Sequence, residues 1–147
     1  MTNSTTAVRF EGLTPILRVR DLTRSINYYT NVLGFKIDFH EAGIIASVSR
    51  DGCSIFLVEG DQGNPGSWLW IGVDDVRLLF EEYQAKGAHV RHPPTNYSWA
   101  YEMQIQDPDG NVLRLGSEPQ ENTPIGEWLD MKGRRWKPAE NGWRVLD

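Results

Sequence analysis

Apolar residues recur along this chain at two different periods, and the switches between them mark out its elements. Residues 13 to 20, "LTPILRVR", alternate as a strand does, with Pro15 at an edge or near the strand start. Leu22, Ile26, Tyr29 and Leu33 then fall on one face of a helix that Asp21 can cap and Gly34 can stop. Three short strands follow near 35–40, 44–49 and 53–59, and Asp51-Gly52 is a hairpin signal between the last two. A polar, glycine-rich stretch at 59 to 67 reads as a linker. The same order then returns. A strand at 68–73 leads to a helix over Val76 to Lys86, capped by Asp74 or Asp75, with Val76, Leu79, Phe80 and Tyr83 inward and Gly87 as its stop. Strands near 88–92, 100–106 and 111–117 complete it, with the turn "DPDGN" at 107 to 111.

The return is a repeat in the residues themselves. Val19, Asp21, Leu22, Ile26 and Tyr29 recur as Val73, Asp75, Val76, Phe80 and Tyr83, 54 positions later (73 − 19). "DGCSIFL" from Asp51 returns as "DGNVLRL" from Asp109, 58 positions on (109 − 51). Each unit reads as βαβββ, so the fold class is α+β, and two equal units that face each other would enclose a cleft. Residues 1–12 carry little pattern and read as a flexible lead. Residues 13–118 hold the duplicated domain, with units at about 13–60 and 67–118. Residues 119–147 form an arm outside the repeat, with a hairpin signal at Asn141-Gly142. The arm holds three of the six tryptophans, Trp128, Trp136 and Trp143, which are costly to leave in water, so it is expected to pack against the domain.

Strand parity separates two faces. One carries Leu17, Val19, Ile55, Leu57, Leu69, Ile71, Val73, Leu113 and Leu115, the aliphatic face that the helices should cover. Burying one such side chain contributes about 1.5–3 kcal/mol, so this face carries the fold. The other face mixes Arg18, Ser54, Phe56, Trp68, Trp70 and Arg114 with small residues. Two readings fit it: the lining of a small-molecule cavity, or a closed aromatic core whose arginines pair or reach for solvent.

Composition narrows the functional classes. Hydrophobic residues make up 39% and charged residues 24% of 147 residues, which suits one soluble domain with a real core. No apolar run approaches a membrane span, and the start lacks signal-peptide character. Cys53 is the only cysteine, so a reducing cytoplasm is the default location. The net charge of −5, without clustered Lys or Arg, argues against nucleic acid.

"VRDLTRSINYYTNVLGF" opening the first unit and "DPDGNVLRL" closing the second resemble the vicinal oxygen chelate superfamily, which includes glyoxalases, extradiol dioxygenases and bleomycin-resistance proteins. The resemblance covers roughly residues 13 to 118 and implies cupped mixed sheets and commonly a homodimer. It also implies a metal in many members, held from the first and last strands of each unit. Those positions match Thr14, Phe56, Trp68 and Arg114 here, none a usual ligand, and His40, His89 and His92 lie elsewhere. The resemblance is therefore nearest to the metal-free, drug-binding branch.

The reading that follows is a metal-independent protein that binds or sequesters an aromatic or antibiotic-like small molecule, with no catalytic residue, no metal and no cofactor. Trp68, Trp70, Phe56, Tyr97 and Trp99 would stack on the ligand, and Arg18, Arg114, Glu102 and Ser54 would make polar contacts. For Arg114 an ion pair with Glu102 competes with a ligand contact. Cys53 reads as inert. The alternative is an enzyme of the same superfamily, a lyase or dioxygenase with a non-standard site. A third reading, a plain structural or interaction module, expects the arm from Pro119 to Asp147 to fill the cleft.

Overall fold

A computed structural model describes residues 7–147. The expected lead at 1–12 thus falls partly outside the described residues, while residues 7 to 12 are exposed and form neither strand nor helix. In the first unit, β1 (Ile16–Val19) leads to helix α1 (Leu22–Asn27), one π-helical turn (Tyr28–Val32), β2 (Lys36–Glu41), β3 (Ile45–Arg50) and β4 (Cys53–Glu59). In the second, β5 (Trp68–Gly72) leads to helix α2 (Val76–Lys86), β6 (His89–Asn96), β7 (Tyr101–Gln106) and β8 (Val112–Ser117). The arm adds β9 (Trp128–Leu129), β10 (Arg135–Ala139) and β11 (Gly142–Val145).

The helices begin and end where their residues allow. The Asp21 carboxylate accepts from the Arg24 N–H, and that of Asp75 from the Leu78 N–H, each satisfying an amide at a helix start. Gly87 takes a left-handed φ of 79° to end α2. The helix expected over Leu22 to Leu33 changes at Tyr28 to a wider turn, closed by the Leu33 N–H donating to the Tyr28 carbonyl. Both tyrosines of this turn reach the second unit. Tyr28 Oη donates to the Gln106 carbonyl and accepts from the His89 N–H, and Tyr29 Oη donates to Asp107.

The duplication holds in three dimensions. The first sheet orders its strands β1-β4-β3-β2 and the second β5-β8-β7-β6. Ile16 lies opposite Phe56 across the parallel β1–β4 pair, and Trp70 opposite Arg114 across β5–β8, the same register under the two sequence offsets. One hydrophobic core joins the units. Leu17, Val19, Ile55 and Leu57 of the first sheet share it with Met103, Ile105, Leu113 and Leu115 of the second, around Leu22, Ile26, Tyr29, Val76 and Tyr83 of the helical segments.

That arrangement corrects the expectation of two units face to face. The aliphatic face of each sheet turns inward onto the shared helical layer, so the two mixed faces turn outward, away from each other. A single chain therefore holds two half-cups rather than one cleft. Each of these sheets has two edge strands, β1 and β2 in the first and β5 and β6 in the second.

Candidate functional site

The nine candidate residues divide between the two outward faces. Arg18, Ser54 and Phe56 stand on the first sheet, and Trp68, Trp70, Glu102 and Arg114 on the second, with Tyr97 and Trp99 in the loop after β6. The structure does not bring them into one site.

On the first face Phe56 meets Phe39 edge to face, their ring centroids 5.8 Å apart. Ser47 and Ser49, opposite Phe56 and Ser54, donate from their hydroxyls to Asp38 at 3.0 and 2.7 Å. The Arg18 side chain makes no ion pair or hydrogen bond among the described residues, so the pairing considered for it does not occur there. Ile16 and Phe39 on this face remain exposed.

The second face is built around a buried carboxylate. Antiparallel register sets Gln104 beside Arg114 and Glu102 beside Gly116. Gly116 has no side chain to fill the space above Glu102, and a Cβ there would come within 3.1 Å of the Trp70 ring. Glu102 is 1% exposed and accepts four charge-assisted bonds. Two come from Arg114, Nε at 2.9 Å and Nη2 at 3.1 Å, and two from indoles, Trp70 Nε1 at 3.2 Å and Trp99 Nε1 at 2.5 Å. The ion pair weighed for Arg114 is thus present, and the carboxylate holds two of the aromatic rings in place.

The arm covers much of this second face. Asn96 holds its start, donating to the Gln120 and Thr123 carbonyls and accepting from the Gln120 N–H. Trp128 then inserts its ring under the Arg114 guanidinium, 4.7 Å from the ring centroid. It meets Tyr97 and Trp99 edge-on at 5.6 and 6.0 Å, while Tyr97 and Trp99 stack nearly parallel at 4.8 Å. The backbone is fastened as well: Tyr97 Oη donates to the Glu127 carbonyl and Gln104 Nε2 to the Leu129 carbonyl. Arg91 donates to Gln104 and to the Asp130 carbonyl, and lies 5.1 Å over Trp68. Burial pushes the Tyr97 phenol up to about 12 and draws the Arg91 guanidinium down.

Trp128, Arg91 and Gln104 are the members of this cluster that the sequence reading left out. The three arm tryptophans were the available signal, but nothing local says which surface they cover. No hydrogen bond or aromatic contact among the described residues links the arm to the first sheet. The arm thus lies against the second sheet without filling its face. After the arm has docked, Trp70 and Trp99 still keep 50% and 44% of their surface exposed.

The four positions matched to a metal site do not fit one. Thr14 precedes β1 and Phe56 lies on the first sheet, while Trp68 and Arg114 lie on the second, with Arg114 bound to Glu102. Among the described residues no three His, Cys, Asp or Glu side chains gather where they could hold an ion. No helix among them is long and apolar enough to cross a membrane.

Comparison with known proteins adds the relationship. The model of the Glyoxalase/Bleomycin resistance protein/Dioxygenase superfamily matches residues 9–115. A probable lactoylglutathione lyase of Vibrio parahaemolyticus is 27% identical in an alignment 117 residues long, with 68% of this chain and 85% of that protein covered. Among solved structures, the antibiotic binding protein TnmS3 from Streptomyces sp. CB03234 is 25% identical, with a TM-score of 0.67 over 78% of this chain and 100% of that one. The bleomycin-binding protein of Streptomyces verticillus, solved with copper(II)-bleomycin, is 22% identical, with a TM-score of 0.66 over 76% of this chain and 98% of that one. The latter likeness is one of fold.

Proposed function

Because this chain belongs to the Glyoxalase/Bleomycin resistance protein/Dioxygenase superfamily, we propose that it is a small-molecule-binding protein that sequesters a planar, aromatic or antibiotic-like ligand without turning it over. The observation that carries this reading is the pair of rings left partly free, Trp70 and Trp99, anchored through their indole N–H groups to buried Glu102. Rings fixed in that way offer stacking surface with little ordering entropy left to lose. The binding proteins among the structural relatives support the same class of function.

In this reading the protein works in the cytoplasm as a homodimer. Each outward face is half of a cup, and the free edges of β1 and β5, with Ile16 in β1 and Phe10 and Leu13 before it exposed, suit a second copy of the chain. A partner's second sheet would then bring Trp70 and Trp99 over the first sheet's Phe39, Phe56, Ser54 and Arg18. Light scattering on the eluting protein tests the dimer, and a monomer at micromolar concentration refutes it. Titration with bleomycin and a panel of polycyclic aromatic antibiotics, followed by tryptophan fluorescence, tests the binding. The expected result is a Kd near 1 μM, which needs about −8 kcal/mol, weakened at least tenfold by Trp70→Ala. Absence of saturable quenching by any of these compounds overturns the reading.

A catalytic reading rests on the resemblance to the probable lactoylglutathione lyase. It requires metal donors at positions other than Thr14, Phe56, Trp68 and Arg114. Elemental analysis of the purified protein decides it: stoichiometric metal, lost on replacing His40, His89 or His92, would favour the enzyme.

A further inference from the structure

The repeat places two matching joints between the units, and they are filled differently. In each, the start of one unit's helix meets the last hairpin of the other unit. At the first joint the second unit's hairpin presses Asp109 onto α1. Its carboxylate accepts from the Arg20 N–H at 2.9 Å, from Arg20 Nε at 3.3 Å and from Ser25 Oγ at 3.1 Å, with Arg24 Nη2 at 3.5 Å. The Asp109 side chain is 4% exposed, so this joint is closed.

At the second joint the partners of Asp109 have been exchanged. Under the 54-residue offset Arg20, Arg24 and Ser25 become Asp74, Leu78 and Leu79, and under the 58-residue offset Asp109 becomes Asp51. The hairpin is also shorter. Four residues separate the register-paired Ser49 and Ser54, where five separate Gln106 and Val112 (50 to 53 against 107 to 111). A cavity of about 450 Å³ lies where the first joint is packed. Its apolar wall comes from Phe35, Ile71, Val73, Leu79 and Leu115, and its polar rim includes Asp51 and Asp74.

The charges of the second joint do not close on themselves. Arg50, the one lining cation among the described residues, is committed to Glu82 through Nη1 at 2.8 Å and Nη2 at 3.0 Å, and to the Leu33 carbonyl. Asp75 is occupied by the helix cap. Asp51 and Asp74 have no side-chain partner among the described residues. Arg77 on the same helical turn does not line the cavity. Among the described residues no guanidinium bonds Asp51 or Asp74 as Arg20 and Arg24 hold Asp109, and Arg50, held by Glu82, acts on Asp51 only through space.

We propose that this second joint is a binding site, separate from both half-cups, for a small organic cation: an ammonium or guanidinium group on a compact apolar body. The cation takes the place that Arg20 and Arg24 fill at the first joint, beside Asp51 and Asp74. The apolar body replaces the missing packing against Leu78 and Leu79. Cavities of roughly 300–1,000 Å³ hold ligands of drug size or smaller, so the volume is adequate. Leu78, 63% exposed at the mouth, gains cover when the site fills.

The test uses 2-phenylethylamine and its neutral counterpart 2-phenylethanol, with amide chemical shifts of the full chain as the readout. Saturable shifts at Asp51, Asp74 and Leu78 are expected for the amine, with a Kd near 1 mM, about −4 kcal/mol for nine heavy atoms. The alcohol should bind about three- to fivefold more weakly, the effect of one partly exposed ion pair. Leu78→Arg restores the residue found at the first joint, so it should abolish amine binding while leaving the Trp70 and Trp99 signals unmoved. Asp51→Asn with Asp74→Asn should remove the preference for the amine. The proposal fails if alcohol and amine bind equally, if Leu78→Arg binds the amine undiminished, or if these residues show no saturable shift.

Discussion

Glu102 gathers four donors in a place with almost no solvent, and its charge is what makes that arrangement favourable. Replacing it by Gln keeps the shape but leaves the Arg114 guanidinium without a counter-charge above the Trp128 ring. Glu102→Gln should lower stability by about 2–3 kcal/mol in urea unfolding, because a buried group loses the partner that offset its desolvation. His92 makes a second residue-scale prediction. Burial holds its imidazole below the usual value of 6.5, against a weaker opposing effect from the hydrogen bond with Pro93. The unfolded chain therefore takes up this proton first as pH falls. Its contribution is fully present above pH 6.5 and is lost as pH drops through the folded value. Melting temperature measured from pH 7 to pH 5 should fall less steeply for His92→Gln than for the natural chain. At this scale the sequence was a partial guide. The Arg114–Gln104 pairing follows from counting residues across the DPDGN turn. The Glu102 bonds to Trp70 and Trp99 could not be counted, since they depend on where two rings swing.

Local rules of capping and period account well for the elements, because caps and stops act over four or five residues. Asp75 and Gly87 bound α2 at Val76 and Lys86, where the sequence places them. The first helix departs from its expectation at Tyr28, where the i to i+5 bond enters and two tyrosines turn to reach the other unit. The arm is the element whose role sequence left open. Its β10–β11 hairpin is local and was readable from Asn141-Gly142, but its docking onto Arg114 is not local. Trp128→Ala removes the ring that fastens it. We expect a loss of about 2 kcal/mol, below the 3–5 kcal/mol of a fully buried aromatic because Trp128 is only half-buried. Hydrogen exchange should then quicken across 118 to 147 while β1 to β4 keep their protection. Equal protection of the arm in both proteins would show that its backbone bonds to Asn96, Tyr97 and Gln104 suffice.

At the scale of the whole molecule, the two joints should not contribute equally. Asp109 is closed in by Arg20, Arg24 and Ser25, whereas its counterpart Asp51 borders the cavity. Asp109→Asn should cost about 1–2 kcal/mol of unfolding free energy. Asp51→Asn, which tolerates the left-handed φ of 49° at that position, should leave the urea midpoint unchanged. Comparable losses at both would mean that the joints are equivalent in energy despite their different partners. By itself the sequence determined the two βαβββ units, the inward aliphatic face and the mixed face opposite it. Each of these follows from period, parity or offset, which are properties of the chain read locally. Only the tertiary structure decided that the units share their helical layer and turn their mixed faces apart, that the arm occupies one of those faces, and that the second joint stays open. Those depend on how surfaces of similar hydrophobicity choose among one another, and that choice is made by shape and charge complementarity across elements dozens of residues apart.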